Sequence, residues 1–313
     1  MRLKSLDIAR GIGIILVVAG HFFPEMSPHW YGVARSVVYS FHMPLFLLIS
    51  GYVYILSRRD ETYASFLKRK AKRIVIPYFL VSFSFIFIKF IPQMLSLYVK
   101  NPVSPESFIK VFYMPEAAVS LWYLWALWWF YLIVPLLKTR TSRLVMLALS
   151  IVLAYLPFDM PDVFALGKVK EMFRYFMLGA VLADWSKEIS FLKRIPLVLP
   201  VSLFAALVVV WQCAGVKCGF LLALSGAASV LALSESLVPY VEKGKFGWLM
   251  KTADESYTIY LLHPIFIAGS LAVLHKLSLP LSESWCFAFV ALAVTAIGLT
   301  GPMILSWIWR KIR

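Results

Sequence analysis

The sequence is dominated by apolar blocks that are long enough to cross a membrane. Val37–Leu56 and Trp285–Trp309 contain no charged residue, and the whole chain is 61% hydrophobic and only 15% charged. A soluble domain is about half apolar and about a quarter charged. About 20 apolar residues cross the hydrocarbon core as a helix, which satisfies its own backbone groups there. The sequence therefore predicts an all-α, polytopic transmembrane helical bundle.

The alternation of apolar blocks with polar segments predicts about ten spans. Their approximate ranges are 5–24, 33–56, 74–95, 118–137, 144–158, 172–185, 196–212, 220–238, 255–276 and 285–308. Residues 96–117 form the longest predicted loop between spans. Because no internal repeat and no long polar stretch appears, we expect residues 1–313 to form a single membrane domain without a soluble extracytoplasmic domain.

The placement of positive charge predicts the orientation in the membrane. The net charge is +15, and most of the 31 Lys and Arg residues lie at the two ends of the chain and in segments 58–73, 138–143, 187–194 and 243–251. These segments share one side of the predicted topology, and positive residues mark the cytoplasmic side. We expect the N-terminus and the C-terminus to be cytoplasmic. The basic surface then faces membrane lipid or an anionic cofactor rather than nucleic acid.

Two ionisable residues of the first span, Arg10 and His21, form the sharpest candidate site. His21 is eleven positions after Arg10, so the two residues share one helix face and lie about 16 Å apart along the axis. A guanidinium can hold phosphate at one end, and an imidazole can take a proton from a hydroxyl at the other. Coenzyme A has this shape, with phosphates at one end and a thioester at the other. Alternatively, Arg10 reaches the inner interface and His21 caps a helix end.

The second span adds His42 and Ser50 on either side of a proline. His42 precedes Pro44, whose ring kinks a helix and frees a backbone carbonyl. Freed backbone groups at membrane depth usually line a cavity. Ser50 is followed by Gly51, which allows a neighbouring helix to approach closely. The alternative for His42 is a hydrogen-bonded histidine between two helices.

Polar residues also recur in the ninth span, at Tyr257, Tyr260 and His263. Tyr260 and His263 are three residues apart and therefore neighbours on one helix face. This group could orient a substrate or tune His21. A structural polar cluster between spans is the alternative.

Two further residues, Trp122 and Arg174, are candidates for contacts with a sugar or a phosphate. Arg174 lies on the predicted outer side, where it could meet a phosphate or an acidic sugar, although loop charges are usually only solvated. Trp122 begins an aromatic run that ends at Tyr131. That run could stack against a sugar, or it could belong to an aromatic belt at the membrane interface.

These motifs together resemble the acyltransferase-3 family of membrane acyltransferases. Ser-Leu-Asp-x-x-Arg-Gly with His21 eleven residues after Arg10, and Phe-His-Met-Pro-Leu-Phe around His42, match its first two spans. Leu-Trp-Tyr-Leu at 121–124, Phe-x-x-Gly at 176–179 and Ser-Tyr-x-Ile-Tyr-Leu-x-His-Pro at 256–264 agree as well. The resemblance is greatest to the branch that includes fucose 4-O-acetylase-like proteins and the enterobacterial common antigen O-acetyltransferase.

The resemblance implies site roles and a reaction. It implies that His21 is the catalytic base within an Arg-x10-His motif, with Arg10, Lys70 and Arg73 binding coenzyme A phosphates. The first member of the family's Arg-x-x-Arg element is Lys70 here. Lysine keeps the positive charge but lacks the planar guanidinium that binds phosphate through two hydrogen bonds.

The implied activity is that of a multi-pass O-acetyltransferase in the bacterial inner membrane. Acetyl-CoA is the implied acyl donor, no metal is expected, and the acceptor is an envelope polysaccharide or a lipid-linked sugar. A homo-oligomer is compatible with the sequence.

Two other function classes stay open. A transporter or flippase of a glycan intermediate would place carboxylates near mid-membrane, whereas Asp7, Asp184, Asp254 and Glu255 lie near span ends. The spans also show no inverted repeat. A scaffold in a glycan-assembly complex would tolerate substitution of Arg10 or His21.

Overall fold

The structure is a computed structural model that describes residues 3–95, 99, 102–115, 119–188, 195–216, 218–277 and 279–312. Within these ranges every regular element is a helix and no strand occurs, which confirms the all-α class. Arg2, Lys193, Arg194 and Arg313, on which part of the predicted orientation rests, lie outside the described residues. So does part of the predicted loop 96–117.

The α-helices of the described ranges follow the order of the apolar blocks. They are Lys4–His21 (α1), His29–Leu56 (α2), Tyr63–Met94 (α3), Ser107–Lys110 (α4), Trp122–Ile133 (α5), Arg140–Tyr155 (α6), Leu166–Asp184 (α7), Val198–Ala214 (α8), Gly219–Glu242 (α9), Gly247–Asp254 (α10), Ser256–Leu277 (α11) and Ser284–Ile312 (α12). Short 3₁₀ turns occur at Val119–Leu121, Val134–Leu136 and Val163–Ala165.

Six helical segments of the described chain are long and apolar enough to cross a membrane. They are His29–Leu56, Tyr63–Met94, Val119–Leu136, Gly219–Glu242, Ser256–Leu277 and Ser284–Ile312. A multi-pass membrane protein is therefore supported. Helix α1, which carries three charged side chains, is not among the six, and the apolar helix α8 is shorter. The count of about ten spans and the cytoplasmic placement of the termini stay predictions.

Helix α3 is longer than the span predicted for this region at 74–95. It begins at Tyr63, where the Thr62 side chain accepts a hydrogen bond from the Ser65 backbone N–H and so caps the helix. It then continues through Pro77. The basic residues of segment 58–73 from Lys68 onward therefore lie on a helix surface.

The chain divides into two compact units, of which the first comprises Met1–Phe46 and Glu188–Arg313. In this unit α1 contacts α9, α10, α11 and α12. Ile8, Val18 and Phe22 at or near this helix are fully buried. Helix α1 thus packs against four helices of its unit, and this packing fixes the positions of Arg10 and His21.

The second unit comprises Leu47–Lys187, and glycines bring two of its helices into backbone contact. A Cβ atom added at Gly51 of α2 would lie 1.9 Å from the Phe176 carbonyl oxygen of α7. One added at Gly179 of α7 would lie 2.0 Å from the Leu48 carbonyl oxygen. Small residues allow this approach between membrane helices, which confirms the prediction for Gly51. The prediction of a single domain over residues 1–313 stays a prediction.

We expect Gly179→Ala to destabilise the second unit by about 1–3 kcal/mol, because the added methyl group forces the two backbones apart. Thermal unfolding of the purified protein in mild detergent measures this loss. Gly269→Ala is the matched control, since a Cβ there meets no atom within 4 Å. Equal melting temperatures for the two variants would contradict the close contact of α2 with α7.

Candidate functional site

Three histidines from three helices of the first unit lie close together. His21 ends α1, and His42 and His263 lie within α2 and α11. The ring centroids of His21 and His263 are 4.8 Å apart, with an interplanar angle of 82°. The Tyr39 ring lies 6.0 Å from His21 and 4.7 Å from His42. The structure thus joins three histidines that the sequence singled out separately, and we call this group the histidine cluster.

Each ring of the histidine cluster is oriented by the same kind of hydrogen bond. Its Nδ1 atom lies 2.7–3.0 Å from a backbone carbonyl about one turn earlier: Val17 for His21, Val38 for His42, and both Ile259 and Tyr260 for His263. A carbonyl oxygen only accepts hydrogen bonds, so Nδ1 carries the proton and donates it. In a neutral imidazole the other nitrogen, Nε2, is then the basic atom.

The three rings differ in their access to a substrate. His42 and His263 are buried, with 3% and 0% of their surface exposed, whereas His21 is only partly buried. His21 is therefore the member of the cluster that an incoming molecule can reach. Nε2 of His263 has no hydrogen-bond partner among the described residues.

A cation, Arg35, lies beside the histidine cluster. Its Nε donates a hydrogen bond of 2.8 Å to the Gly20 carbonyl, and its guanidinium lies 4.5 Å from the Phe23 ring centroid and 4.2 Å from that of Tyr39. Gly20 makes room for this arrangement, because a Cβ there would lie 2.7 Å from the Tyr39 ring. Arg35 and Tyr39 were not predicted as site residues. Arg35 is four residues before Tyr39, and Tyr39 is three residues before His42, so the three share one face of α2. That spacing could have revealed them.

Arg10 lies three turns before His21 on α1, as its spacing predicts. Its guanidinium donates to Asp7 Oδ1 at 3.1 Å, to the Ala253 carbonyl at 3.2 Å and to Ser256 Oγ at 3.0 Å. These contacts tie α1 to the junction of α10 and α11. The Arg10 side chain is still 36% exposed, so it can also meet an anion. Both readings of Arg10, structural and ligand-binding, are compatible with this geometry.

A cavity of about 560 Å³ in the second unit is lined by cations, and we call it the basic cavity. Its lining residues are Tyr54, Ser57, Arg58, Arg59, Glu61, Tyr63, Phe66, Arg69, Lys70, Pro135, Leu136 and Lys138. Glu61 is the one acid in this lining, against Arg58, Arg59, Arg69, Lys70 and Lys138. Pockets for small ligands measure about 300–1,000 Å³. The size and charge of the basic cavity suit an anionic ligand.

Two contacts shape the interior of the basic cavity. Lys70 Nζ lies 3.7 Å from the ring centroid of Tyr131, which is a cation–π arrangement. Arg69 forms an ion pair with Glu61 through two of its nitrogens. This hydrogen bond holds the pKa of the Glu61 carboxyl below its usual value. Glu61 is therefore bound to the Arg69 guanidinium, a group that could otherwise bind an anionic ligand.

Of the two cations predicted in the basic segment, Lys70 lines the basic cavity. Arg73, which the resemblance pairs with Lys70, is exposed and does not line the cavity. The other cations that line it are Arg58, Arg59, Arg69 and Lys138, which had contributed only to the predicted orientation in the membrane. The density of positive charge in 58–73 was the signal that pointed to them.

Three predicted site residues lie elsewhere in the second unit. Ser50 Oγ lies 3.0 Å from the Tyr123 hydroxyl, and Trp122 begins α5 beside that tyrosine. The Arg174 guanidinium lies 5.1 Å and 5.0 Å from the ring centroids of Tyr155 and Tyr175. Arg174 of α7 is thus held against one aromatic ring from α6 and one from its own helix. Roles for these residues in acceptor binding stay predictions.

The remaining candidates, Tyr257 and Tyr260, share α11 with His263. Tyr260 is 9% exposed, and the His263 ring bonds to its carbonyl. Tyr257 is 41% exposed. Of the two tyrosines, Tyr260 is therefore the one bound to the histidine cluster through its backbone. Among the described residues no group of three or more His, Cys, Asp or Glu side chains could hold a metal ion, and the expectation of a metal-free reaction stays a prediction.

Comparison with known proteins identifies the family of the chain. A family model described as an acyltransferase domain matches residues 3–307. The nodulation protein NolL of Mesorhizobium japonicum is 24% identical over 187 residues, which cover 58% of this chain and 48% of that protein. NolL of Sinorhizobium fredii is 25% identical over 191 residues, covering 59% and 50% respectively.

The chain therefore spans about half the length of the curated relatives it matches. No solved structure matches it. The family model, by contrast, covers nearly the whole chain, including α1 with Arg10 and His21 and α11 with His263. The chain belongs to the acyltransferase-3 family.

Proposed function

We propose that the chain is a membrane O-acetyltransferase that moves an acetyl group from acetyl-CoA to a hydroxyl of an envelope polysaccharide or a lipid-linked sugar. The observation that carries this proposal is the His21 imidazole, whose Nδ1 is fixed on the Val17 carbonyl and whose Nε2 is left as a base. Membership of an acyltransferase family supports the reaction class.

In the proposed reaction, Nε2 of His21 takes the proton of the sugar hydroxyl while the hydroxyl oxygen attacks the carbonyl carbon of the thioester. The carbon–oxygen bond forms, the carbon–sulfur bond breaks, and the sulfur receives the proton. A positioned general base contributes about 10²–10⁴-fold to such a rate. The positive charge of Arg35, beside the imidazoles, favours the negative charge that develops on the carbonyl oxygen.

The coenzyme A phosphates need cations, and two places supply them. Arg10 lies about 16 Å from His21 along α1, a separation that suits a donor with a long flexible arm. The basic cavity, with Lys70 and four other cations, is the second place. The residues that the resemblance assigns to the phosphates, Arg10, Lys70 and Arg73, keep that assignment as part of this proposal.

Glu61→Gln is expected to tighten the binding of coenzyme A by about three- to tenfold. The substitution removes the one acid from the cavity lining and frees Arg69 for phosphate, and the gain should shrink at high salt because exposed charges are screened. Filter binding of radiolabelled coenzyme A to the protein in nanodiscs measures the affinity. Glu171→Gln, which changes an exposed acid of the same unit, is the matched control. Unchanged or weaker binding for Glu61→Gln would remove the basic cavity from the donor site.

Several finer assignments belong to the same proposal. We place the protein in the fucose 4-O-acetylase-like branch and in the bacterial inner membrane. It has about ten spans, both termini in the cytoplasm and a single membrane domain, and homo-oligomers are compatible with this arrangement. The NolL relatives are nodulation proteins whose name states no substrate, so the glycan acceptor rests on the resemblance of the motifs.

Inverted membrane vesicles that contain the chain test the proposal when they are supplied with [¹⁴C]acetyl-CoA. We expect label to enter the glycan or lipid-linked sugar fraction, and to do so only when the protein is present. A transporter or flippase would instead move a labelled sugar intermediate across the vesicle membrane in the absence of acyl-CoA. That outcome, with no label in glycan, would replace the proposed enzyme by the alternative.

A further inference from the structure

His263 carries a buried ring nitrogen that the proposed reaction does not use. Its ring is fully buried, and Nδ1 bonds to two carbonyls at 2.9 Å and 3.0 Å, which fixes the plane of the ring. Nε2 is buried as well and has no hydrogen-bond partner among the described residues. A buried unsatisfied polar atom costs about 1–3 kcal/mol. Such atoms are rare enough in native structures that each needs an explanation.

The ring next to His263 is that of His21, the proposed general base. The centroids of His21 and His263 are 4.8 Å apart with nearly perpendicular rings. The edge of one ring therefore lies against the other, and a small rotation of His21 would bring two ring nitrogens to a hydrogen-bond distance of about 3 Å. His263 is held by two hydrogen bonds and His21 by one, so His21 is the ring that turns.

We propose that Nε2 of His263 accepts a hydrogen bond from His21 when His21 is protonated, and that His263 is a positioning residue for the transfer. This inference rests on the proposed function. When His21 takes the hydroxyl proton, its ring carries two N–H groups. One donates to the Val17 carbonyl and the other to Nε2 of His263. After the carbon–sulfur bond breaks, the sulfur takes the proton and His21 returns to its neutral form.

The surroundings of His21 explain why such an acceptor is useful. Arg35 places a positive charge close to the cluster, and a second positive charge on His21 is repelled by it. A fixed neutral acceptor offsets part of that repulsion without adding a charge. His263 is suited to this task because burial and its two hydrogen bonds keep its free nitrogen aimed in one direction.

Three substitutions separate this role from simple packing. His263→Phe keeps the ring shape and loses both nitrogens. His263→Asn keeps a donor near the Nδ1 position and loses the acceptor, whereas the side-chain oxygen of His263→Gln reaches the Nε2 position. His275→Gln, at the exposed end of the same helix, is the control. The probe is [¹⁴C]acetyl-CoA with the glycan of the host membrane vesicles as acceptor.

We expect His263→Phe and His263→Asn to lower kcat by about 10- to 100-fold, with KM for acetyl-CoA unchanged within about twofold. His263→Gln should return to within about fivefold of the wild type, and His275→Gln should equal it. Wild-type kcat in both His263→Phe and His263→Asn would overturn the proposed role of His263, as would equal losses in all three His263 variants. If the wild-type protein itself transfers no label, the proposed function fails, and this inference fails with it.

Discussion

Replacing His21 with asparagine is expected to lower the rate of acetyl transfer by about 10³-fold, within the range of a lost general base. The asparagine amide nitrogen can keep the hydrogen bond to the Val17 carbonyl, which His21 Nδ1 makes at 2.7 Å. The substitution therefore removes the basic Nε2 while it preserves the end of α1. Because we propose that the phosphates of the donor bind away from His21, KM for acetyl-CoA should change by less than about threefold. Label transfer from [¹⁴C]acetyl-CoA in membrane vesicles measures both constants.

His29→Asn is the matched control for His21→Asn. It makes the same change at an exposed histidine that begins α2, and we expect wild-type transfer from it. Immunoblotting establishes that the two variants are present at equal amounts in the membrane. A His21→Asn variant that transfers acetyl groups at the wild-type rate would exclude His21 as the base.

The second large effect concerns stability, where Arg143→Met is expected to cost about 3–5 kcal/mol. The Arg143 guanidinium bonds to both carboxylate oxygens of Asp184, with Nη2 at 2.8 Å from Oδ1, and to the Leu137 carbonyl at 2.6 Å. The two side chains are only 5% and 6% exposed. Methionine would leave the Asp184 charge buried without its partner. Unfolding in mild detergent, followed by circular dichroism, measures the loss.

The double variant Arg143→Met with Asp184→Leu identifies the cause. Because it removes both charges, it should recover most of the stability lost in the single variant. Lys168→Met breaks an exposed ion pair with Glu171 and should cost less than about 1 kcal/mol. A double variant that is less stable than Arg143→Met would show that packing around the side chains, and not the unpaired charge, accounts for the loss.

The sequence predicted the helical architecture well, because hydropathy reports directly on burial in lipid. The predicted span 255–276 corresponds to α11, Ser256–Leu277, and the span 118–137 to the segment Val119–Leu136. The predicted span 74–95 corresponds to the apolar part of α3, a helix that itself begins at Tyr63. Charged residues hide the first turns of that helix from a hydropathy pattern, although the Thr62 cap and Ser65 mark its start.

The candidate site was predicted only in part. Periodicity along one helix predicted that Arg10 and His21 share a face of α1, because this relation is local. The meeting of His21 with His263 depends on the packing of α1 against α11, which no local pattern contains. The basic cavity likewise combines segment 58–73 with Lys138, which lies beyond α5 in the chain. Tertiary packing, rather than sequence spacing, brings these residues together.

The central claim is that a thioester donor places its reactive carbonyl beside the histidine cluster. A cryo-electron microscopy map of the protein in nanodiscs, with a non-hydrolysable acetyl-CoA analogue bound, tests it most directly. We expect the carbonyl to lie next to His21 Nε2, with space for a hydroxyl between them, and the phosphates to lie against Arg10. A map in which the carbonyl lies away from all three histidines would contradict it.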